Sequence, residues 1–254
     1  MKLVCLNIWG GARFEPLTEF LMEESSTADV FCFQEAFSGT PGLAFNGEVR
    51  ANVFRELESI LPDFRSFFFP MQETHDGVLR FVMGLAFFVR RGIAVRDVGI
   101  FFASGGPEKL DWYAPSRVVG CAAHATVAVG GKEHLILNVH GIPAWPKVDI
   151  PARLDQSRNI RAFLDRVSGA KILCGDLNLF PETESVAIIA RGMRNLTAEY
   201  GVRTTRSTLH YEQFPRGEDS VSDYCFVSPD VTVRAFTVPD IAVSDHLPLI
   251  LEFA

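Results

Sequence analysis

The chain has 254 residues, enough to bury a substantial core, and no Ser/Gly/Pro-rich linker, charge block or internal repeat divides it, so residues 1–254 read as a single domain. Its formal net charge of −7 speaks against a protein built only to grip duplex DNA, which normally presents a basic face. The five cysteines, Cys5, Cys32, Cys121, Cys174 and Cys225, lie in apolar runs without the close Cys/His spacing of a zinc site; they read as buried free thiols of a cytoplasmic protein. The start, Met1 to Asn7, has neither a sustained apolar stretch nor a cleavage site and reads as a strand, not a signal peptide.

In chain order, strands are predicted at residues 2–7, 30–35, 65–69, 83–90, 118–129, 134–140, 171–175, 224–228 and 247–253. Helical patterns fall at 16–25, 52–61, 151–167 and 182–191, the third opening on a proline suited to a first turn. Many strands with a few helices predict an α+β fold, an α/β sandwich of two packed, mainly antiparallel β-sheets flanked by outer α-helices.

The ends of these runs carry the chemistry. Asn7, Glu35, His140 and Asp176 to Asn178 arrive just as an apolar stretch finishes, whereas Asp223 and the pair Asp245-His246 come just before one begins. If the first group ends upward strands and the second starts downward ones, all meet on one rim of the sandwich.

Each residue type has a use there. Glu35 can meet a hard cation through oxygen, and Asn7 can add an amide oxygen or hold that carboxylate; alone, they are a solvated acid and a turn residue. Asp176 and Asn178, spaced around Leu177, face one side if the segment is strand-like. The acid can then orient a water and the amide can donate to a phosphoryl oxygen, while the plain alternative is an Asx turn. Asp223 can fix the tautomer of His246 and stabilise its charged form, and His140 can stabilise phosphate charge. His75, His124, His134 and His210 are read as surface or satisfied interior groups. No Gly-x-Ser-x-Gly elbow and no phosphate-gripping Gly/Lys loop is present, which favours metal-assisted phosphoester hydrolysis. A metal site using Glu35, Asp176, Asp223 and Asp245 would account for four negatives and leave −3, so nucleic acid stays open as a substrate.

Six short motifs in order, Leu6-Asn7-Ile8-Trp9-Gly10, Phe33-Gln34-Glu35, Asn138-Val139-His140-Gly141, Gly175-Asp176-Leu177-Asn178, Ser222-Asp223-Tyr224 and Ser244-Asp245-His246, make the chain resemble the endonuclease/exonuclease/phosphatase superfamily of metal-dependent phosphoesterases, with a DNase I-like fold. The resemblance implies Glu35 as the main ligand of Mg2+ or Mn2+, with Asn7 and Asp245 nearby. It also implies Asp176 and Asn178 around the attacking water, Asp223 paired with His246, and His140 at the scissile group; either Asp176 or His246 takes the water's proton. Trp9 stands where the abasic-site endonucleases of the family carry an acid, and His140 where they carry tyrosine, which look more like the nuclease and sphingomyelinase branches.

Substrate choice falls to four rim loops, residues 36–50, 71–81, 104–117 and 142–150. Trp112, Tyr113 and Trp145 can stack on a base or line a pocket, or pack the loops themselves, and Arg117 can reach a phosphate or form a surface ion pair. Arg153, Arg158 and Arg161 on a helix and a later cluster of Arg203, Arg206 and Arg216 are modest basic patches, and the helical charges read as a solvated face. The phenylalanines at 67–69 and 101–102 read as core strands, the alternative being a membrane-touching hairpin. The expected activity is that of a metal-dependent phosphodiesterase on a phosphodiester such as nucleic acid, with no protein partner predicted. A sphingomyelinase-like phospholipase acting on membrane lipid and a small-molecule phosphatase are the enzymatic alternatives; a catalytically silent binding scaffold is the alternative of another class.

Overall fold

A computed structural model describes residues 1–45, 47–75, 77–105, 108–109, 119–129, 131–213 and 221–254. Along the chain run β1 (Lys2–Asn7), α1 (Phe14–Glu24), β2 (Val30–Gly39), β3 (Leu43–Ala44), β4 (Val49–Arg50), α2 (Val53–Ile60), β5 (Phe64–His75), β6 (Arg80–Arg90), β7 (Val95–Ser104) and β8 (Glu108–Lys109). Then follow β9 (Gly120–Val129), β10 (Lys132–His140), α3 (Pro151–Arg166), β11 (Ala170–Asp176), α4 (Glu184–Ala190), β12 (Arg194–Asn195), α5 (Leu196–Glu199), α6 (Thr208–Gln213), β13 (Asp223–Val227), β14 (Val233–Thr237) and β15 (Leu249–Phe253).

Seven strands form one sheet in the order β14-β15-β1-β2-β6-β5-β8, and six form the other, β12-β13-β11-β10-β9-β7. Each sheet has a parallel pair near its middle, β1 with β2 and β10 with β11, flanked by β15 antiparallel to β1 and β13 antiparallel to β11. Four strand C-termini therefore leave on one rim, where the segments feeding β13 and β15 begin. Register sharpens this: His140 pairs with Asp176, Asp176 with Asp223, and Asn7 with Gln34.

Period-two alternation sorts the side chains of β10. Leu135, Leu137 and Val139 join Ile160 and Leu164 of α3 and Ile189 of α4 on the outer face, whereas Ile136 joins the core between the sheets. On the other side, α2 lies over β2 and β5, sending Val53, Phe54 and Leu57 into the main core. Full burial of each such side chain stabilises by about 1.5–3 kcal/mol. Asn138 is a polar exception between the sheets: its amide nitrogen donates to the carbonyls of Phe33 (3.0 Å) and Ala86 (3.2 Å), and its oxygen accepts from Gln34 at 2.5 Å. It ties β10 to β2 and β6, and so sets His140 opposite Glu35.

Several segments differ from expectation. Residues 71–75 and 80–81 are paired strand, because β5 and β6 form one long hairpin, so the second rim loop shrinks to its tip. Most of the third loop, 104–117, lies outside the described residues. The edge strands β7 and β14 were not predicted; register shifts interrupt their pairing, and partial exposure blurs their apolar pattern. The phenylalanines of 67–69 sit in β5, and Phe101 stacks on Phe163 of α3 with ring centres 4.6 Å apart. Among the described residues no helix is long and apolar enough to cross a membrane.

Candidate active site

At one end of the rim stands Glu35. A β-bulge shifts the β2–β6 register between Phe33 and Ala36, and Glu35 adopts a left-handed backbone, φ 53°, a conformation that costs a residue with a Cβ free energy and recurs at functional sites. The bulge re-aims the carboxylate, leaving it 23% exposed in a strand that is otherwise nearly all buried. Asn7 Nδ2 donates to Glu35 Oε1 at 2.9 Å, while Asn7 Oδ1 accepts from the Trp9 N–H at 3.0 Å. Asn7 thus positions Glu35, with its own oxygen committed to the turn. That turn needs Gly10: at φ 56°, an added Cβ would lie 2.6 Å from the Phe37 ring. Ser244 Oγ donates to the carbonyl of Asn7 at 2.7 Å, bringing Asp245 to the end of β1, and His140 Nε2 lies 3.7 Å from Glu35 Oε1. Two carboxylates, with the Asn7 amide beside them as a positioning group, form an oxygen-rich set suited to Mg2+ or Mn2+. Glu35 fits the role because its hydrogen-bond partner is a neutral amide, which leaves its charge for a cation.

The other end is buried and already paired. His246 Nδ1 lies 2.9 Å from both oxygens of Asp223, and Asp223 Oδ2 also accepts from Thr205 Oγ1 (2.7 Å) and Ser222 Oγ (3.1 Å). An ionised carboxylate only accepts, so Nδ1 carries the proton. His246 Nε2 faces Asp176 Oδ2 at 3.6 Å. Asp176 and Asn178 do not share a strand face: β11 ends at Asp176, Asn178 is left-handed (φ 54°), and its N–H donates to Asp176 Oδ1 at 2.8 Å. This is the Asx turn, and it still leaves both side chains at the rim with Leu177 buried beneath.

Arg206, marked in the sequence only as one member of a modest basic cluster and not as a site residue, completes this end. Residues 205–207 run against 245–247 through Ser207 N–H to the Asp245 carbonyl (3.0 Å) and Leu247 N–H to that of Thr205 (2.8 Å). The buried guanidinium donates to Asp245 Oδ2 at 3.3 Å and to His246 Nε2, and lies 3.8 Å from Asp176 Oδ2. Asp176, Asp223 and His246 could otherwise gather around a metal, their ligand atoms lying within 4.8 Å of one another; Arg206 supplies a fixed cation there instead. Burial opposes ionisation of Asp176, but His246, Lys147, Arg206 and His140 outweigh it and hold the carboxyl well below the usual range. For His246, burial and then Arg206 work against the imidazolium; Asp223, Asp245 and Asp176 prevail and raise its pKa. The neutral tautomer holds while Arg206 donates to Nε2.

One more residue departs from expectation. Arg153 is fully buried, not solvated, and donates to the carbonyls of Ile142, Ala144, Pro146 and Val148. Lys147, on the loop so held, is 8% exposed. His210 lies by the site, its pKa pushed down to about 4 by burial and then by Arg206. Trp145 is 81% exposed, its ring edge-on to Phe180, and so stands free at the rim. Trp112, Tyr113 and Arg117 lie outside the described residues.

Solved structures share the fold end to end. An endonuclease/exonuclease/phosphatase from Bacteroides vulgatus superposes with a TM-score of 0.73 at 18% identity, covering 100% of this chain and 98% of its own. A mannosyl-6-phosphatase from Bacteroides thetaiotaomicron gives 0.71 at 18% identity, with 100% and 99% covered. The human Nocturnin catalytic domain with bound sulfate gives 0.70 at 18%, with 100% and 93% covered. No curated protein sequence matches significantly. The model of the Endonuclease/Exonuclease/phosphatase family matches residues 4–246, and the chain belongs to that family.

Proposed function

We propose that this protein hydrolyses a phosphodiester by in-line attack of an activated water, using Mg2+ or Mn2+ held by Glu35 with Asn7 and Asp245, and that nucleic acid is the first substrate to test. The family includes metal-dependent phosphoesterases, nucleases and phosphatases. One observation carries the reading: a buried relay Asp223–His246–Asp176 ends on the same rim as a partly open Glu35 carboxylate whose hydrogen-bond partner is neutral.

When bound, the metal would polarise the phosphoryl group and offset its charge. The chain's own groups do the rest. Asp176 and His246 face each other and orient the water, and one of them takes its proton, His246 only once Arg206 releases Nε2. Asp223 keeps Nδ1 protonated and stabilises the imidazolium. Asn178 Nδ2, 3.4 Å from the Gly141 carbonyl, is placed to turn towards a phosphoryl oxygen, and His140 adds a donor on the Glu35 side. Both sheets contribute to this rim, which supports reading the chain as one catalytic domain, and five buried free cysteines support a reducing compartment, the cytoplasm.

The test is hydrolysis of bis(4-nitrophenyl) phosphate. Turnover should require Mg2+ or Mn2+, and Asp176→Asn and His246→Ala should each lower kcat by roughly 10²–10⁴-fold, with circular dichroism showing an unchanged fold. Absence of turnover across divalent metals and across DNA, RNA, sphingomyelin and phosphomonoesters would refute the enzyme reading.

A further inference from the structure

Lys147 sits in the 142–150 loop, and the loop is built to hold it still. The carbonyls on either side of it, of Pro146 and Val148, each accept from Arg153 Nη1 at 2.8 Å. Its own carbonyl accepts from Phe180 N–H at 2.9 Å. Two residues on, the Asp149 carboxylate accepts from the N–H groups of Glu184 and Ser185 (2.7 and 3.0 Å), fixing the loop to the start of α4. So anchored, the side chain runs inward until only 8% of the residue is exposed.

Among the described residues its ammonium reaches no hydrogen-bond partner. The charges around it are Asp176, Arg206, Asp223 and Asp245, with His210 close enough to feel it. Burial pushes the ammonium down to about 8, against an ordinary 10.5, despite the carboxylates. A buried cation with three donors and no acceptor is unfavourable, and a sequence that needed only packing would place an apolar residue there. It is not alone: neither ring nitrogen of His140 nor Arg206 Nε has a hydrogen-bond partner among the described residues, and both side chains are buried. Unused donors from three segments face one rim, the arrangement of an anion receptor without its anion.

We propose that Lys147 is a substrate ligand whose ammonium donates to a nonbridging oxygen of the phosphoryl group, and that the Arg153-braced loop exists to deliver it. The inference rests on the phosphoester reading above for the identity of the anion. It assigns Lys147 to binding: the group contacts oxygens that carry charge in the bound substrate as well as in the transition state, so it acts mainly on KM.

The experiment pairs turnover with direct anion binding. In Lys147→Met, KM for bis(4-nitrophenyl) phosphate should rise about 10- to 100-fold, the worth of one charge-assisted hydrogen bond, with a much smaller change in kcat. Calorimetry with sulfate should show a matching loss of affinity, and Lys147→Arg should recover part of both. Thermal stability separates binding from structure: removal of an unpartnered buried charge should leave the melting temperature unchanged or raise it, whereas a structural lysine would lower it. Turnover with wild-type KM and wild-type sulfate affinity in Lys147→Met overturns the assignment and leaves the hydrolase reading standing. Sulfate binding that depends on Lys147 in a protein that hydrolyses no phosphoester keeps the anion site and removes the hydrolase reading.

Discussion

The two ends of the rim solve opposite electrostatic problems. At the Glu35 end, a bulged strand pushes a carboxylate partly into solvent and gives it a neutral amide for company, so charge is left uncompensated and available. At the His246 end, two carboxylates and an imidazole are buried, and Arg206 is packed among them, so much of the charge is offset within the protein. Under the proposed function, the difference becomes a division of labour. An exchangeable divalent cation belongs where the protein leaves negative charge unpaired; proton transfer belongs where burial and fixed partners hold one tautomer.

The largest effect expected from disturbing this division comes from Asp223→Asn. The amide is close to isosteric but can no longer stabilise an imidazolium and can present its NH2 to Nδ1, favouring the wrong tautomer. Loss in kcat should be roughly 10²–10⁴-fold, by analogy with acid–imidazole pairs elsewhere, with KM little changed. A variant retaining near-wild-type kcat would show that the Asp223–His246 pair is structural.

A smaller effect should appear in stability against pH. Lys147 has a folded pKa of about 8, below its ordinary 10.5, so the unfolded chain holds the proton more tightly. Below pH 8 the folded state bears the whole cost of the buried charge; as pH rises from 8 towards 10.5 the folded state sheds the proton first, and stability is regained. Metal-free Lys147→Met should therefore exceed the wild type by up to roughly 3 kcal/mol near pH 7, with the gap closing above pH 8. Denaturant unfolding at pH 7.5 and 9.5 measures it, and a gap independent of pH would contradict the buried, unpartnered placement.

Much of this was legible because strands announce themselves twice, by apolar alternation and by the polar residue at which they stop. β1 and β10 end at Asn7 and His140 as expected, and the parallel central pairs carry those endings to one rim. The edge strands β7 and β14 were hidden because half-exposed, interrupted pairing leaves no clean period. The burial of Arg206 and of Lys147 was hidden for a different reason: in irregular segments nothing marks a charged side chain as buried. Arg153 did carry a signal. It shares one helical stripe with Gln156, Ser157, Ile160 and Leu164, and a charge on the apolar stripe of an amphipathic helix implies an inward role. The Asx turn at Asp176 shows that a local structural reading and a catalytic one need not compete, since the turn places both side chains at the rim.

The central claim, that cation and proton chemistry occupy different ends of the rim, is tested most directly by calorimetric titration of Mn2+ into the wild type, Glu35→Gln and Asp223→Asn. Glu35→Gln should weaken binding by at least about 10- to 100-fold, while Asp223→Asn should leave it within a few-fold of wild type. The reverse pattern, with Mn2+ affinity lost in Asp223→Asn and kept in Glu35→Gln, would place the metal among Asp176, Asp223 and His246 and contradict the account.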